Sequence, residues 1–410
     1  MPTEVNQLPQ AADLPRGPSA LAGIRVLDLS RFIAGPYCAM MLGDMGADVL
    51  KIEKPGSGDA ARTYRPQVNG NSVYSMMFNR NKRGVALDLR KSGDLDVLKS
   101  LIERADVLIE NYRPGTMEKI GLGWEQLQLI NPRLVMTRIS GFGQDGPWAS
   151  LPCFDGIAQA AGGLMELTGD PEGPPTLCGT YVCDYTAGMY AAMGTLAALN
   201  ARHTAGRGQV VDVSLLDSAA SLLMSAIPEY YLLDNKMTRR GSRDRYATPN
   251  NVYKTVDGSW VYLVCGGKFL FPRFAKAIQR LDLLDNPDFA TLEARLLRWN
   301  ETETIARDWV GKHTVDQVLR VMTSEDVPCG KVATIEDVVN NPQLRHRKQI
   351  LELDDPVAGK IPMQGVTIQM SETPLSIRLP MPAVGQHTAE VLAEWLDVRP
   401  AAGPAIQEPR

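Results

Sequence analysis

The sequence is poor in the residues that build metal centres and crosslinks. Four histidines (His203, His313, His346, His387) and six cysteines (Cys38, Cys153, Cys178, Cys183, Cys265, Cys329) are spread over 410 residues. They form no C-x-x-C, H-E-x-x-H or H-x3-H grouping, so neither a metal site nor a disulfide framework is expected. An excess of positive charge is also lacking: 43 Lys plus Arg stand against 47 Asp plus Glu, a net charge of -4. That balance is no footprint for a phosphate backbone, and nucleic acid is not an expected partner. No apolar run approaches the roughly 18 residues of a membrane span, so no membrane partner is expected either. The unpaired cysteines point to a reducing compartment, with the cytoplasm as the default. Residues 1–20, with Pro2, Pro9, Pro15, Pro18, Glu4 and Asp13, lack the features of a secretion signal or transit peptide. They read as a flexible arm.

What is present is a globular composition, 44% hydrophobic and 22% charged, long enough for two to three domains at about 150 residues each. From Gly23 the text alternates: IRVLDL, then PYCAMMLGDMG, then ADVLKIEKP, a β-α-β unit. Strands at Val85–Leu89, Asp106–Tyr112 and from Leu134 continue the pattern. Four or five parallel strands with apolar cores make a doubly wound α/β domain covered on both faces. Asp155–Leu167 and Asp184–Asn200, rich in Ala, Gly and Met, read as packed helices, and a further helix is expected over Asp217–Leu233. The polar stretch DNKMTRRGSRDRYATPNN breaks all periodicity and marks a boundary. After it come a hairpin around Asp257-Gly258 and helices near Phe271–Leu281 and Glu303–Ser324, an α+β module of about a hundred residues. The expected division is therefore a large domain from residues 21–228 and 333–398, a small one over 229–332, and a flexible tail over 399–410.

The first β-α turn, where a dinucleotide fold shows G-x-G-x-x-G, reads Ser30-Arg31-Phe32-Ile33-Ala34-Gly35-Pro36; the phosphate-gripping glycines are absent. Lys54-Pro55-Gly56-Ser57-Gly58-Asp59 lacks Walker spacing, and ATP hydrolysis is not indicated. Lys54, Arg80, Lys82, Arg83, Arg90 and Arg113 are expected to cluster at the carboxyl ends of the presumed strands, where open α/β sheets bind ligands. They suit a polyanionic ligand, and solvated surface charge accounts for them as well.

Seven ordered blocks carry a resemblance: LDLSRFIAGPYCAMMLGDMGADVLKIEKPGSGD, FNRNKRGVALDL, ENYRPGTMEKIGLGWEQLQLINPRLV, SGFGQDGP, CDYTAGMYAAMGTLAAL, GRGQVVDVSLLDS and GQHT. In this order the chain resembles the class III CoA-transferases. The resemblance implies a Rossmann-like large domain formed by both chain ends, a smaller α+β domain, and two chains interlocked in a homodimer. It implies an acyl-CoA donor, a carboxylate acceptor, and coenzyme A thioester as substrate with no permanently bound cofactor.

It also implies site residues. The nucleophile is Asp184 in Cys183-Asp184-Tyr185-Thr186-Ala187-Gly188, because a carboxylate can carry an acyl group as an anhydride and CoA as a thioester. At its ordinary pKa near 3.9 it is expected to be ionised at neutral pH. Taken by itself, an Asp opening a helix is more often a cap. Phe32, Ile33 and Ala34 match positions along the pantetheine, and Ile33 replaces a glutamine found in some relatives. Lys54, Leu87, Arg90, Asn111, Tyr112 and Lys119 match nucleotide contacts, and Gln144 matches a polar residue near the aspartate. Gly266-Gly267 matches a glycine loop over the site, in a short form. Arg31, Arg239, Arg240, Arg243 and Arg245 suit a second carboxylate of a dicarboxylic acceptor, or solvent.

The α-methylacyl-CoA racemases share the fold and most blocks, but they need a His and an Asp as opposed bases. The matching His position is Phe154, which cannot take a proton. A non-catalytic CoA-binding protein would be signalled by loss of the nucleophile, and Asp184 is present.

Overall fold

A computed structural model describes residues 8–397. The expected tail at 399–410 and the first seven residues of the expected arm lie outside the described residues. Six parallel strands form the central sheet: β1 (Arg25–Asp28), β2 (Asp48–Glu53), β3 (Lys82–Ala86), β4 (Val107–Glu110), β5 (Val135–Ser140) and β6 (Val210–Ser214), in the order β3-β2-β1-β4-β5-β6. This is the doubly wound order whose direction reverses beside the first strand. Period-two alternation within apolar strands feeds two cores at once. Val26, Val49, Val107 and Val135 join helices α1 (Ala34–Asp44) and α4 (Val182–Ala205) on one face. Leu27, Leu50, Leu108 and Met136 join α2 (Ser92–Ile102) and Trp395 on the other.

The chain divides into two compact units. Of the described residues, the first takes those up to Leu164, Gly179–Met224 and those from Asn341 onward. The second takes Met165–Cys178 and Ser225–Asn340; the piece Met165–Cys178 carries no composition shift that would have marked it. In the first unit the C-terminal helix Thr388–Leu396 packs on the sheet edge, where Arg83 pairs with Asp48, Glu390 and Glu394. Trp395 Nε1 donates to Asp48 at 3.0 Å. Within the arm expected at 1–20, Ala11 and Leu14 are buried with Leu351 and Leu375, and Gln10 bridges to Glu352. Prolines were read as looseness there, but apolar Ala11 and Leu14 find a core to join.

The second unit holds the antiparallel sheet of β7 (Asn250–Lys254), β8 (Trp260–Val264) and β9 (Cys329–Lys331). Two expected helices are broken. Asp217–Leu233 is Leu215–Ser221 and Ala226–Leu233, because Pro228 has no N–H with which to carry a helix through. Glu303–Ser324 is Trp299–Val310 and Val315–Ser324, the second restarted by Thr314 in a reciprocal cap with Gln317. Gly266 is fixed: its N–H donates to Asn250 and its carbonyl accepts from Arg295. No helix among the described residues is long and apolar enough to cross a membrane.

Candidate active site

Helix α4 starts beside the carboxyl ends of the strands. Its N-cap position, Tyr181, makes no side-chain cap, and Asp184 sits two residues inside the first turn. Asp184 is therefore not the cap. That task falls to Asp155, the first residue of α3 (Asp155–Ala161), whose Oδ1 accepts the N–H of Cys183 at 2.8 Å and of Asp184 at 3.2 Å. Asp155 is 2% exposed, and its other oxygen accepts from Gln159. A carboxylate at a helix N-terminus is electrostatically favoured. It also sets a second negative charge next to Asp184.

Asp184 itself is part-buried, and among the described residues no side chain donates to its carboxylate or pairs with it. Burial, then the neighbouring Asp155, pushes its pKa up to about 7. The expectation of a carboxylate fully ionised at neutral pH is thereby corrected: near neutrality protonated and ionised forms coexist. Burial, then the Asp184 carboxylate, pushes the Cys153 thiol up to about 11.

Asp184 lines a cavity of about 390 Å³ together with Arg31, Phe32, Ile33, Ala34, Asn111 and Tyr112. Close crossing of α1 and α4 makes this possible: a Cβ on Gly188 would stand 2.8 Å from the Ala34 carbonyl. Asn111 fixes the turn by accepting the Arg31 N–H at 2.8 Å and donating to its carbonyl at 2.7 Å. The Arg31 guanidinium stacks 4.7 Å over the Tyr112 ring. Phe154 also lines the cavity, edge-on to Phe32. A second cavity of about 530 Å³ shares Arg31 and Tyr112 with the first and adds Lys54, Leu87 and Arg90.

Of the residues singled out in the sequence, the structure thus brings Asp184, Phe32, Ile33, Ala34, Asn111 and Tyr112 together, and Lys54, Leu87, Arg90 and Tyr112 together. Gln144 and Lys119 line neither cavity. Gln144 donates its backbone N–H to Asp212, and its buried side-chain nitrogen has no partner among the described residues. Among the arginines considered for a second carboxylate, Arg31 lines the cavity of Asp184, Arg239 pairs with Glu166, and Arg243 stacks on Trp299. The expectation that the basic group sits at the carboxyl ends of the strands is corrected for three of its members. Arg80, Lys82 and Arg83 lie at the amino end of β3 and are spent on Asp44, Asp28 and Asp48. Asp155 was missed as a site residue, although an Asp heading the Ala-rich run DGIAQAA was a capping signal.

A Rossmann-type unit with two cavities that share Arg31 and Tyr112 at the carboxyl ends of its strands, and an unpaired carboxylate in one of them, has the form of a ligand-binding α/β enzyme. The chain belongs to CoA-transferase family III, whose pattern matches residues 21–388. It is 40% identical to a succinyl-CoA–L-malate CoA-transferase beta subunit of Chloroflexus aurantiacus, over 92% of this chain and 94% of the relative. It is 38% identical to the succinyl-CoA–D-citramalate CoA-transferase of that organism, over 93% and 95%. Among solved structures, a CAIB/BAIF family protein from Brucella suis superposes with a TM-score of 0.82 at 30% identity, covering 93% of this chain and all of the other.

Proposed function

We propose that the protein moves CoA from an acyl-CoA donor to a carboxylic acid through covalent intermediates on Asp184. The observation that carries this reading is the unpaired, part-buried carboxylate of Asp184 on the cavity wall formed by Phe32, Ile33 and Ala34. Its oxygen attacks the thioester carbonyl, and CoA leaves as thiolate, giving an aspartyl anhydride. The thiolate then attacks the aspartyl carbonyl, releasing the donor acid and leaving an aspartyl-CoA thioester. The acceptor carboxylate attacks that thioester, and the expelled thiolate attacks the acceptor carbonyl of the new anhydride, freeing Asp184. Thioester is exchanged for thioester, so no ATP is consumed. Backbone N–H groups at the start of α1 stabilise each oxyanion.

The larger unit is the CoA-binding domain. The thioester end lies in the cavity of Asp184, and the nucleotide end in the cavity of Lys54, Leu87 and Arg90. The similarity to succinyl-CoA-dependent enzymes makes succinyl-CoA the first donor to try, with dicarboxylic acids as acceptors. Arg31 is the residue placed for a second carboxylate. The active form is an interlocked homodimer; exposed Tyr231, Leu232 and Leu233 on the helix Ala226–Leu233, at 79%, 78% and 71% exposure, are apolar surface of the kind partner chains cover. Sedimentation is expected to give a dimer at the lowest measurable concentration. The mechanism is tested by incubation with donor alone followed by hydroxylamine or borohydride: label on Asp184 is expected, and label on Cys183 would indicate a thiol acyl-enzyme instead. Phe154, on the same wall, offers no base for the racemase reaction.

A further inference from the structure

Two lysines are fully buried behind the first β-α turn, in a covered parallel sheet whose buried strand positions are mostly Val, Ile and Leu. Lys51 lies in β2 and Lys82 at the start of β3. With Asp28 and Asp59 they form a closed set in which every member is at most 2% exposed. Lys82 meets Asp28 at 2.8 Å, and Lys51 meets Asp28 at 3.5 Å and Asp59 at 3.7 Å. Desolvating four charges is a costly way to fill a core, and apolar side chains of equal volume would serve stability as well or better.

Apart from bonds to Asn79 and from the Ala61 N–H, the remaining hydrogen bonds of the four side chains are directed at residues 30–36. Lys51 Nζ donates to the Ser30 carbonyl at 2.5 Å, and Lys82 Nζ donates to the Pro36 carbonyl at 2.9 Å and to Asn79 at 3.0 Å. The two ammonium groups therefore hold both ends of the turn. Asp28 accepts the N–H of Ser30 at 3.0 Å and also its hydroxyl. Asp59 accepts the N–H of Phe32 at 3.1 Å. Phe32 has φ 65°, the left-handed region that a phenylalanine avoids and keeps only when its surroundings impose it. A Cβ on Gly35 would fall 2.2 Å from that of Ser30, so the turn is also closed on itself.

We propose that Lys51 and Lys82 are positioning residues for the transfer reaction, holding residues 30–36 in the strained shape that sets Phe32, Ile33 and Ala34 opposite Asp184. This rests on the reading of the Asp184 cavity as the place of reaction. Neither lysine touches substrate in this account; each acts through the backbone of the turn.

The test compares Lys82→Met and the milder Asp59→Asn with the intact full-length protein, using three readouts. Amide hydrogen exchange over residues 30–37 is expected to rise about tenfold or more, with the other strands unchanged. Turnover number is expected to fall about thirtyfold or more, since oxyanion donors lose their aim. The Kd for free CoA, read on Lys82→Met because Asp59 itself lines the cavity of Lys54 and Arg90, is expected to stay within about threefold. Lys82→Arg, which keeps the charge, should recover part of the turnover loss.

Unchanged exchange at 30–37, turnover above half of the unmodified level, or a Kd that rises in step with the turnover loss would each overturn the proposal. Loss of the fold in both variants would do so too, by making the network a general support. If the unmodified protein transferred no CoA from any donor while the exchange effect appeared, the functional reading would fail and the holding of the turn would stand.

Discussion

Two sets of buried carboxylates in the same unit are treated in opposite ways. Asp28 and Asp59 have two lysines, a hydroxyl and three backbone N–H groups among their partners. Burial alone would raise the pKa of Asp28, but its two lysines and its hydrogen bonds outweigh that and hold it below the ordinary value. Asp155 and Asp184 stand side by side with no lysine or arginine paired to either among the described residues, and Asp184 is pushed up to about 7. Satisfied charge fixes a backbone, whereas a carboxylate left without partners keeps its lone pairs for a ligand. Mutating the two sets should therefore give different signatures.

The largest effect is expected at Asp184, the carboxylate without a partner. Asp184→Asn or Asp184→Ala should lower CoA transfer by about three orders of magnitude or more, since the proposed covalent carrier is gone. CoA binding, read by calorimetry, should be retained. Residual activity of more than a small fraction would end the covalent mechanism.

The same substitution should raise stability, and the pH window is fixed by the sign of the shift. In the folded chain Asp184 holds its proton to about 7, while the unfolded carboxyl releases it near the ordinary 3.8. As pH rises between these values the unfolded state is favoured progressively, and the penalty is complete above about 7. Asp184→Asn removes the penalty. Its gain is bounded at about 4 kcal/mol above neutrality, is smaller in practice because the group is only part-buried, and vanishes near pH 3.5 or below. Thermal melts at pH 8 and pH 4 check this: a Tm gain that is equal at both values would assign the effect to something other than proton linkage.

Asp155→Asn sharpens the comparison further. Asparagine still accepts the N–H groups of Cys183 and Asp184, so the cap survives while the charge goes. The nucleophile must be ionised, so kcat/KM for the donor is expected to rise with pH through about 7 in the unmodified protein. In Asp155→Asn that limb should move down by about one pH unit. Asp155→Ala should in addition lose the cap, at about 1 kcal/mol of stability. An unmoved limb in the Asn variant would leave burial as the whole cause.

The contrast also explains what was legible in the sequence. The sheet could be read because period-two apolar runs such as Val26-Leu27 and Leu108-Ile109 report a covered parallel strand directly. Asp184 and the Phe32–Ala34 turn were legible through the resemblance, since no local pattern distinguishes a nucleophilic aspartate from a cap. The role of Asp155 was not, because it depends on α3 and α4 meeting at their starts, a contact across 28 residues of chain. Lys51 and Lys82 were hidden for the same reason: a lysine in a strand reads as surface charge until Asp28 and Asp59 are found around it. Pairing of distant charges is a property of the folded backbone, and it decides whether a charged residue is scaffold or site.

The smallest effect is expected at the rim of the nucleotide cavity. Arg90 is largely exposed, at 73%, and its guanidinium lies in a fork on Asp88, 2.7 Å away. An exposed cation meeting a phosphate is screened over about 8 Å at physiological ionic strength. Arg90→Ala should therefore weaken CoA binding only about two- to fivefold at low salt, and less at high salt, with turnover unchanged. Part of that loss would be indirect. Arg90 holds the Asp88 carboxyl well below the usual carboxylate range, and removing it leaves that negative charge facing the phosphates without its partner. Asp88→Asn combined with Arg90→Ala separates the two contributions: recovery of affinity in the double variant assigns the loss to Asp88, and no recovery assigns it to a direct contact of Arg90. A loss in the single variant that persisted at high salt would mean that Arg90 is enclosed when CoA is bound, and would place it with the satisfied charges instead of the solvated rim.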